Sequence, residues 1–274
     1  MLAVAHAQAP AGKEKGVGPL LSYWRKTRQK SQLALASEAG VSPRHLCFLE
    51  TGRARPSREM VLHLAQALAV PLRERNTLLL AAGFAPLFAE SSLDDPQLAS
   101  VKMALTAILE QQEPYPAVAM NRAWDIVRTN AAAARFFALL AGPEAPPGEP
   151  NVLRSMFHPL GLRPHVANWE AVAETLIQRL HREAVGGVLD EAARGVLAEI
   201  LAYPGVPARW RAPDLTRPQL PVVPVCFRHG GQAYNFFSTV TVLGTPQDVT
   251  LQELRIECFF PGDPETAAAA RALA

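Results

Sequence analysis

The residues best placed to do chemistry lie in one stretch, SQLALASEAGVSPRHLCFLETGRARPS, between Ser31 and Ser57. Ser31 is predicted to be the N-cap of a short helix, because its side-chain oxygen can accept a hydrogen bond from a free backbone amide. Gly40 is predicted to end this helix, because glycine permits a sharp reversal of the chain. Ser42, followed by Pro43, predicts the start of a second helix. Two short helices joined by a tight glycine turn are typical of a helix-turn-helix, whose second helix enters the major groove of DNA.

Side chains in and after the second helix suit a nucleic-acid surface. Polar groups and free amides at two helix N-termini, at Gln32 and Ser42, suit phosphate oxygens. In the first turn of the second helix, Arg44 and His45 can reach base edges, where an arginine donates two bonds to a guanine. The loop after it is basic and fits a phosphate backbone, through Arg53, Arg55 and Arg58. The alternative is an ordinary pair of core helices, since helix, glycine turn and helix occur together in many folds.

This segment resembles the helix-turn-helix of the XRE class, shared with the lambdoid phage repressors, in its SQ, AGVS and LETGRARPS runs. The resemblance implies a lambda-repressor-like bundle that binds DNA. It implies phosphate contacts for Gln32 and Ser42 and base-facing positions for Arg44 and Phe48, with His45 beside them.

The resemblance also implies a buried structural ion pair between Arg25 of the first helix and Glu50. Pro43 departs from the pattern, because many members carry a base-reading polar side chain at that position. A proline side chain cannot hydrogen-bond to a base edge, so base readout must rest on Arg44, His45 and DNA shape.

Length and charge indicate two domains with different partners. The chain has 274 residues, of which 49% are hydrophobic and 19% are charged, a normal globular composition. Residues 1–90 contain 12 Lys and Arg against 6 Glu, a net charge of +6, whereas residues 91–274 contain 15 against 19 acids, a net charge of −4. This asymmetry favours one domain that meets phosphates and a second domain that does not.

Disulfides, zinc sites, secretion and membrane spans are not indicated. The three cysteines lie far apart without a C-x-x-C pair, so we expect a reducing cytoplasm as the location. Residues 1–16 lack the early positive charge of a signal peptide and are expected to form a flexible tail. No stretch approaches the roughly 18 uncharged apolar residues of a membrane span, so we expect no membrane partner.

The elements that position these residues follow from hydrophobic periodicity. Five short helices are expected to form a bundle over residues 17–85, followed by a Pro-, Ser- and Asp-rich linker over 86–96. A helix, two short β-prone runs, several helices and three final strands have the order of a PAS-like antiparallel sheet with helices, over residues 97–265. Residues 266–274 are expected to be a tail, and the final strands are expected at 222–228, 233–243 and 251–260. The predicted fold is therefore multidomain, an α domain followed by an α+β domain.

The second domain resembles the C-terminal ligand-binding domain of MmyB-like regulators in NVLRSMFHPLGLRP at residues 151–164 and LAYPGVP at 201–207. In that family this domain follows an XRE helix-turn-helix ending in LRERNTLLLAAGFAP, which is present here at residues 72–86. The resemblance implies a PAS-like sensor of a small apolar effector. It also implies, as a finer expectation, an acyl-chain-like or fatty-acid-like molecule and no other cofactor.

Polar groups crowd an otherwise apolar region around residues 150–180, which predicts a ligand site there. Arg163, close to a helix start, is the first choice to meet an acidic or carbonyl head group. The alternative is structural: two asparagines that cap helices, a His-Pro turn and a core tryptophan. The predicted ligand-binding residues are Asn151, Phe157, His158, Arg163, Asn168, Trp169, Phe236 and Phe237.

No catalytic motif is present, since the sequence has no G-x-S-x-G, H-E-x-x-H or Walker A run, and we expect no enzymatic activity. His158, His165 and His181 lack Cys or carboxylate partners at ligand spacing and are expected to bind no metal. We expect a one-component regulator, homodimeric through its second domain, that binds double-stranded DNA and a small-molecule effector. The alternatives are a protein-binding adaptor with a degenerate helix-turn-helix, which Pro43 supports, and an enzyme fused to a DNA anchor.

Overall fold

The computed structural model describes residues 16–141, 150–186, 191–212, 222–244 and 246–273. They form two compact units, and the main segment of the first unit ends at Glu90. The predicted tail at 1–16 lies outside the described residues except for Gly16. Within the described part of the chain, no helix is both long and apolar enough to cross a membrane.

The first unit is the predicted five-helix bundle, which is confirmed. Its helices bury one shared apolar core, with Trp24 and Leu49 among its members. This burial stabilises helices that would be too short to persist alone. The helices are α1 (Val17–Thr27), α2 (Gln32–Glu38), α3 (Pro43–Glu50), α4 (Arg58–Ala67) and α5 (Leu72–Ala81).

Serine caps and a glycine turn define the helix-turn-helix as the sequence predicts. The Ser31 Oγ atom accepts a hydrogen bond from the Ala34 amide at 3.0 Å, and Ser42 Oγ accepts one from His45 at 3.1 Å. Each bond satisfies an amide that a helix start leaves unpaired. Gly40, between α2 and α3, has φ +60°, a conformation that costs glycine little.

The predicted linker is anchored to the bundle over its first residues. The Asn76 side chain of α5 accepts hydrogen bonds from the amides of Leu87 and Phe88, at 2.9 and 3.0 Å, and donates one to the Phe88 carbonyl at 2.7 Å. The Arg75 guanidinium lies 5.9 Å from the centre of the Phe88 ring. One amide side chain thus satisfies three backbone groups and holds the chain against α5.

The second unit is built on a five-stranded antiparallel sheet, whose strands are β1 (Ala117–Met120), β2 (Ile126–Thr129), β3 (Val223–His229), β4 (Gln232–Val242) and β5 (Arg255–Pro261). They lie in the order β2-β1-β5-β4-β3. The predicted PAS-like sheet with helices is confirmed. Gly230 and Gly231, with φ of +56° and +83°, form the two-residue turn between β3 and β4.

Helices pack on both faces of this sheet. The inner face carries Val118, Phe236 and Phe259 and supports the larger core, whereas Leu105 belongs to a smaller core with Ile256. Successive strand residues point to opposite faces, which divides the two cores. The helices are α6 (Ala99–Gln111), α7 (Ala131–Leu140), α8 (Val152–Phe157), α9 (Trp169–Gly186), α10 (Glu191–Ile200), α11 (Val249–Glu253) and α12 (Pro264–Ala272).

Two sequence boundaries are corrected at the C-terminal end. The strand predicted from residue 251 begins at Arg255, because α11 occupies the preceding residues. The tail predicted from residue 266 is helix α12, which begins at the Asp263 cap and contains the fully buried Thr266. Thr266 Oγ1 accepts a hydrogen bond from the Asn235 amide of β4 at 2.8 Å. An alanine-rich run has a weak apolar signal, but its small side chains allow close packing against a strand.

Candidate nucleic-acid interface and ligand site

A close backbone approach sets the position of α3 against α1. A Cβ atom on Gly18 of α1 would lie 2.5 Å from the Leu49 carbonyl oxygen and 2.7 Å from that of Glu50. Real Cβ atoms do not approach backbone oxygens so closely, so this crossing requires glycine. The sequence alone does not predict this contact, since spacing along the chain does not reveal which backbone Gly18 will meet.

An ion pair joins the same two helices, between the residues implied by the XRE resemblance. Arg25 Nε donates to Glu50 Oε1 at 2.6 Å and Arg25 Nη2 donates to Glu50 Oε2 at 2.8 Å, in a bidentate arrangement. The two side chains are 11% and 4% exposed. Gln32 Nε2 donates to Glu50 Oε2 at 2.8 Å, and Arg25 Nη1 donates to the Lys30 carbonyl at 2.9 Å.

The charges of this pair are stabilised by each other. Burial raises the pKa of the Glu50 carboxyl, but hydrogen bonds from Arg25 and Gln32, and the charge of Arg25, outweigh that effect and hold the pKa below its ordinary value. The hydrogen bond with Glu50 raises the pKa of Arg25 despite desolvation. Both groups therefore remain ionised near neutral pH, and the pair fixes α3 relative to α1.

The solvent face of α3 carries the predicted base-reading side chains. Ser42 and Arg44 are exposed, and His45 and Phe48 are half-buried. The Arg44 guanidinium lies 5.4 Å from the centre of the Phe48 ring, as expected for residues four apart on a helix. This stacking presents a cation and an apolar edge side by side near the N-terminal end of α3.

The basic residues of the bundle divide into internal and exposed groups. Arg28 donates to the carbonyls of Leu68 and Ala69, at 2.9 and 3.0 Å, so it satisfies the C-terminal end of α4. Arg53 and Arg55, by contrast, are exposed in the loop after α3. Arg58 is half-buried and donates to the Ala85 carbonyl at 3.5 Å. The arginines that face water therefore lie on and just after α3.

In the second unit, both asparagines predicted to bind the ligand form hydrogen bonds with other groups of the domain. Asn151 is 1% exposed and caps α8, accepting from the amides of Leu153 and Arg154 at 3.0 and 3.1 Å. Its amide nitrogen donates to the Ala123 carbonyl and to Asp125, each at 2.8 Å. Asn168 pairs with the edge of β3, since its side chain donates to the Pro224 carbonyl and accepts from the Cys226 amide, each at 2.9 Å.

Arg163, the predicted head-group contact, also has partners within the domain. Its guanidinium donates to the carbonyls of Pro204 and Gly205 and lies 3.9 Å from the centre of the Trp169 ring. The Trp169 indole nitrogen donates to the Met156 carbonyl at 2.8 Å. These contacts explain Arg163 as a structural residue that closes the 201–207 turn over Trp169.

Histidines in this unit make local contacts. His158 Nδ1 accepts from the Leu160 amide at 3.1 Å, which forms the His-Pro turn, and its ring packs on Tyr203. His181, 7% exposed, lies with Nε2 at 2.8 Å from the Trp210 carbonyl. In the described ranges, no three His, Cys, Asp or Glu residues are grouped to hold a metal ion.

The phenylalanines predicted to bind the ligand do not all lie on one face of the sheet. Phe157 and Phe236 are buried in the core on the inner face of the sheet. Phe237 is a correction: it stacks on Phe260 on the opposite face, with ring centres 5.4 Å apart, because consecutive strand residues alternate between faces. Sequence reasoning missed Trp210, which is 1% exposed and packs against Phe157 and Trp169. No spacing signal linked it to them.

Comparisons with known proteins agree with this architecture. Residues 18–78 match the family described as a helix-turn-helix domain, and residues 101–273 match the MmyB-like transcription regulator ligand binding domain. A search of curated proteins found no match. A solved structure titled "Structure of an RNA-binding Light-Oxygen-Voltage Receptor" is 14% identical over 94% of this chain and 60% of that chain, with a TM-score of 0.25, which is too low to support any inference. The chain belongs to the family of MmyB-like transcription regulators, with a helix-turn-helix domain ahead of the ligand-binding domain.

Proposed function

We propose that this chain is a one-component regulator that binds operator DNA through α3 and responds to a small apolar ligand in its PAS-like domain. The observation that carries the DNA half is the exposure of Arg44, Arg53 and Arg55 together with the N-terminal end of α3. Exposed guanidinium groups beside a helix N-terminus suit phosphate oxygens and base edges, and such groups contribute most of a protein's attraction to DNA.

Phosphate binding is proposed for the backbone amides at the start of α2. The Gln32 side chain is held by Glu50, so its predicted phosphate contact is proposed for its backbone amide instead. The first amides of a helix have no intrahelical acceptor, and Ser31 pairs only that of Ala34. Ser42 uses its oxygen as an acceptor within the cap, which leaves its hydroxyl hydrogen to donate to a second phosphate.

Base reading rests on Arg44, with His45 and Phe48 beside it. Pro43 at the first position of α3 removes one donor, so the helix presents fewer groups to base edges than a polar residue there would allow. An arginine can donate two bonds to guanine, and an aromatic edge can contact a thymine methyl group. Arg53, Arg55 and Arg58 are proposed to follow the phosphate backbone.

The ligand is proposed to lie between the inner face of the sheet and helices α8 and α9. The side chains around this position are aromatic, including Phe157, Trp169 and Phe236. A mostly apolar surrounding with few polar groups favours an apolar or acyl-chain-like molecule. Asn151, His158, Arg163 and Asn168 would shape this region through the backbone groups they hold.

Regulators of this shape act on two half-sites when they dimerise. We propose a cytoplasmic homodimer formed through the second domain, because one small bundle with few base contacts binds weakly. Its half-sites should lie about 34 Å apart, or a multiple of that distance. Sedimentation and footprinting test this, and a monomer that protects one half-site would contradict it.

Fluorescence polarisation with the duplex upstream of the chain's own gene tests DNA binding. The control is a shuffled duplex of the same composition, and both are titrated at several salt concentrations. We expect tighter binding to the upstream duplex and a strong fall in affinity with salt. Arg209→Ala, which removes an exposed arginine from the second unit, is the charge control and should leave binding unchanged. Absence of binding to either duplex at low salt would favour the protein-binding adaptor.

A further inference from the structure

The second unit contains a buried hydrogen-bond donor without an acceptor. Among the side chains that the structure describes, the Trp210 Nε1 atom is the one buried nitrogen or oxygen that has no hydrogen-bond partner. Trp210 lies in a 3₁₀-helix, Ala208–Arg211, and its side chain is 1% exposed. Buried polar groups in folded proteins are nearly always paired, so an unpaired one needs a physical explanation.

The Trp210 ring lies close to two other aromatic rings and the Arg209 guanidinium, which is 5.6 Å from its centre. The Trp210 ring lies 5.7 Å from the Trp169 ring and 6.5 Å from the Phe157 ring, measured between centres. The neighbouring polar atoms already have partners: Trp169 Nε1 donates to the Met156 carbonyl, and His181 Nε2 contacts the carbonyl of Trp210 itself. A buried water needs two to four polar partners, and the only polar atom on these two neighbouring rings, Trp169 Nε1, is already paired.

We propose that Trp210 Nε1 donates the hydrogen bond that orients the effector, and that the effector combines a flat or flexible apolar body with one carbonyl or carboxylate oxygen. The inference rests on the proposed ligand-sensing function and makes Trp210 its specificity-determining residue. Phe157 and Trp169 would contact the apolar body, because they flank the indole. A ligand of this kind satisfies the N–H group that the folded domain leaves unpaired.

This arrangement also predicts which molecules the site rejects. A hydrocarbon of the same shape would contact the same aromatic rings but leave the N–H group without an acceptor. A site built to donate a hydrogen bond discriminates against the analogue that lacks the acceptor, because its own polar group is then buried unpaired. Recognition would therefore depend on one oxygen atom more than on the exact length of the apolar body.

Two matched probes test the proposal on the full chain. Acetophenone carries a carbonyl oxygen on an aromatic ring, and ethylbenzene has nearly the same shape without an acceptor. The measurement is the indole N–H signals of the four tryptophans in ¹H–¹⁵N spectra during titration. We expect acetophenone to move the Trp210 signal downfield, as hydrogen bonding does, and ethylbenzene to leave it close to its starting position. Loss of one signal in Trp210→Phe identifies it.

The affinity ratio of the two probes separates recognition from packing. Trp210→Phe opens space for both probes alike, so the ratio cancels any effect on packing or stability. We expect the preference for acetophenone over ethylbenzene to fall about tenfold in Trp210→Phe. It should stay unchanged in Phe237→Leu, because Phe237 lies on the opposite face of the sheet. If Trp210→Phe does not fold, the wild-type shift decides. An unmoved Trp210 signal at saturating acetophenone, or an unchanged ratio, overturns the proposal.

The outcome is independent of the test of DNA binding. A wild-type chain that binds its upstream duplex while neither probe moves the Trp210 signal would overturn this inference and leave the DNA-binding half of the proposed function standing. A chain that binds no DNA but shows the acetophenone shift would support this inference and overturn the DNA-binding half of the proposed function.

Discussion

Replacing Glu50 by alanine should destabilise the helix-turn-helix far more than an ordinary surface substitution. The change removes the acceptor of two hydrogen bonds from Arg25 and one from Gln32. It leaves the Arg25 guanidinium, 11% exposed, without its carboxylate partner and with its hydrogen bond to the Lys30 carbonyl at 2.9 Å. Removing one partner of a buried ion pair costs about 3 to 5 kcal/mol. The slight exposure of Arg25 and its remaining hydrogen bond place the expected cost at about 3 kcal/mol.

Calorimetry of the full chain measures this cost. In a domain of this size, 1 kcal/mol shifts the melting temperature by about 4 to 8 °C, so the bundle should melt about 12 to 24 °C lower in Glu50→Ala. Glu38→Ala is the matched control, because Glu38 forms an ion pair with Lys30 in the same bundle but is 49% exposed. Its cost should stay below about 1 kcal/mol. Equal shifts in the two variants would refute the argument from burial.

Three further predictions follow from the same structure. The Glu50 carboxyl has a folded-state pKa below its ordinary 4.5. Its contribution to stability is therefore complete above pH 4.5 and is lost as the pH falls through the folded-state pKa. The melting temperatures of wild type and Glu50→Gln should accordingly converge in acid. Arg44→Ala should cost about 1 to 3 kcal/mol at the preferred DNA site and blur its sequence preference, whereas Arg53→Ala should weaken all duplexes alike and reduce the salt slope by about one. Equal losses on cognate and shuffled DNA for Arg44→Ala would remove it from base reading. Asn130, 5% exposed, pairs with four backbone groups between α6 and α7, so urea unfolding of Asn130→Ala should show a loss of about 3 kcal/mol, and a loss under 1 kcal/mol would contradict that role.

The sequence by itself determined the local features of both domains. Serine caps at Ser31 and Ser42 and the turn at Gly40 could be predicted because each depends on residues within one helical turn. The order of helices and strands was sufficient to predict a PAS-like sheet, since alternating apolar residues report which face of a strand is buried. The ion pair between Arg25 and Glu50 came from the family resemblance, and the structure supplies its geometry.

Only the tertiary structure decided which distant groups each polar side chain meets. Arg163 binds the carbonyls of Pro204 and Gly205, some forty residues away, and Asn168 meets β3. Periodicity carries no information about such partners. For the same reason the sequence could not show that Gly18 touches the α3 backbone.

The region of the candidate ligand site stays a prediction, and the structure changes its detail. Polar crowding near residues 150–180 indicated that region from the sequence, but Phe237 lies on the other face of the sheet and Trp210 was overlooked. A hydrogen-bond donor has the same letter in the sequence whether it is paired or unpaired. Whether an acceptor lies within reach depends on how distant segments pack, and that is decided only when the core is assembled.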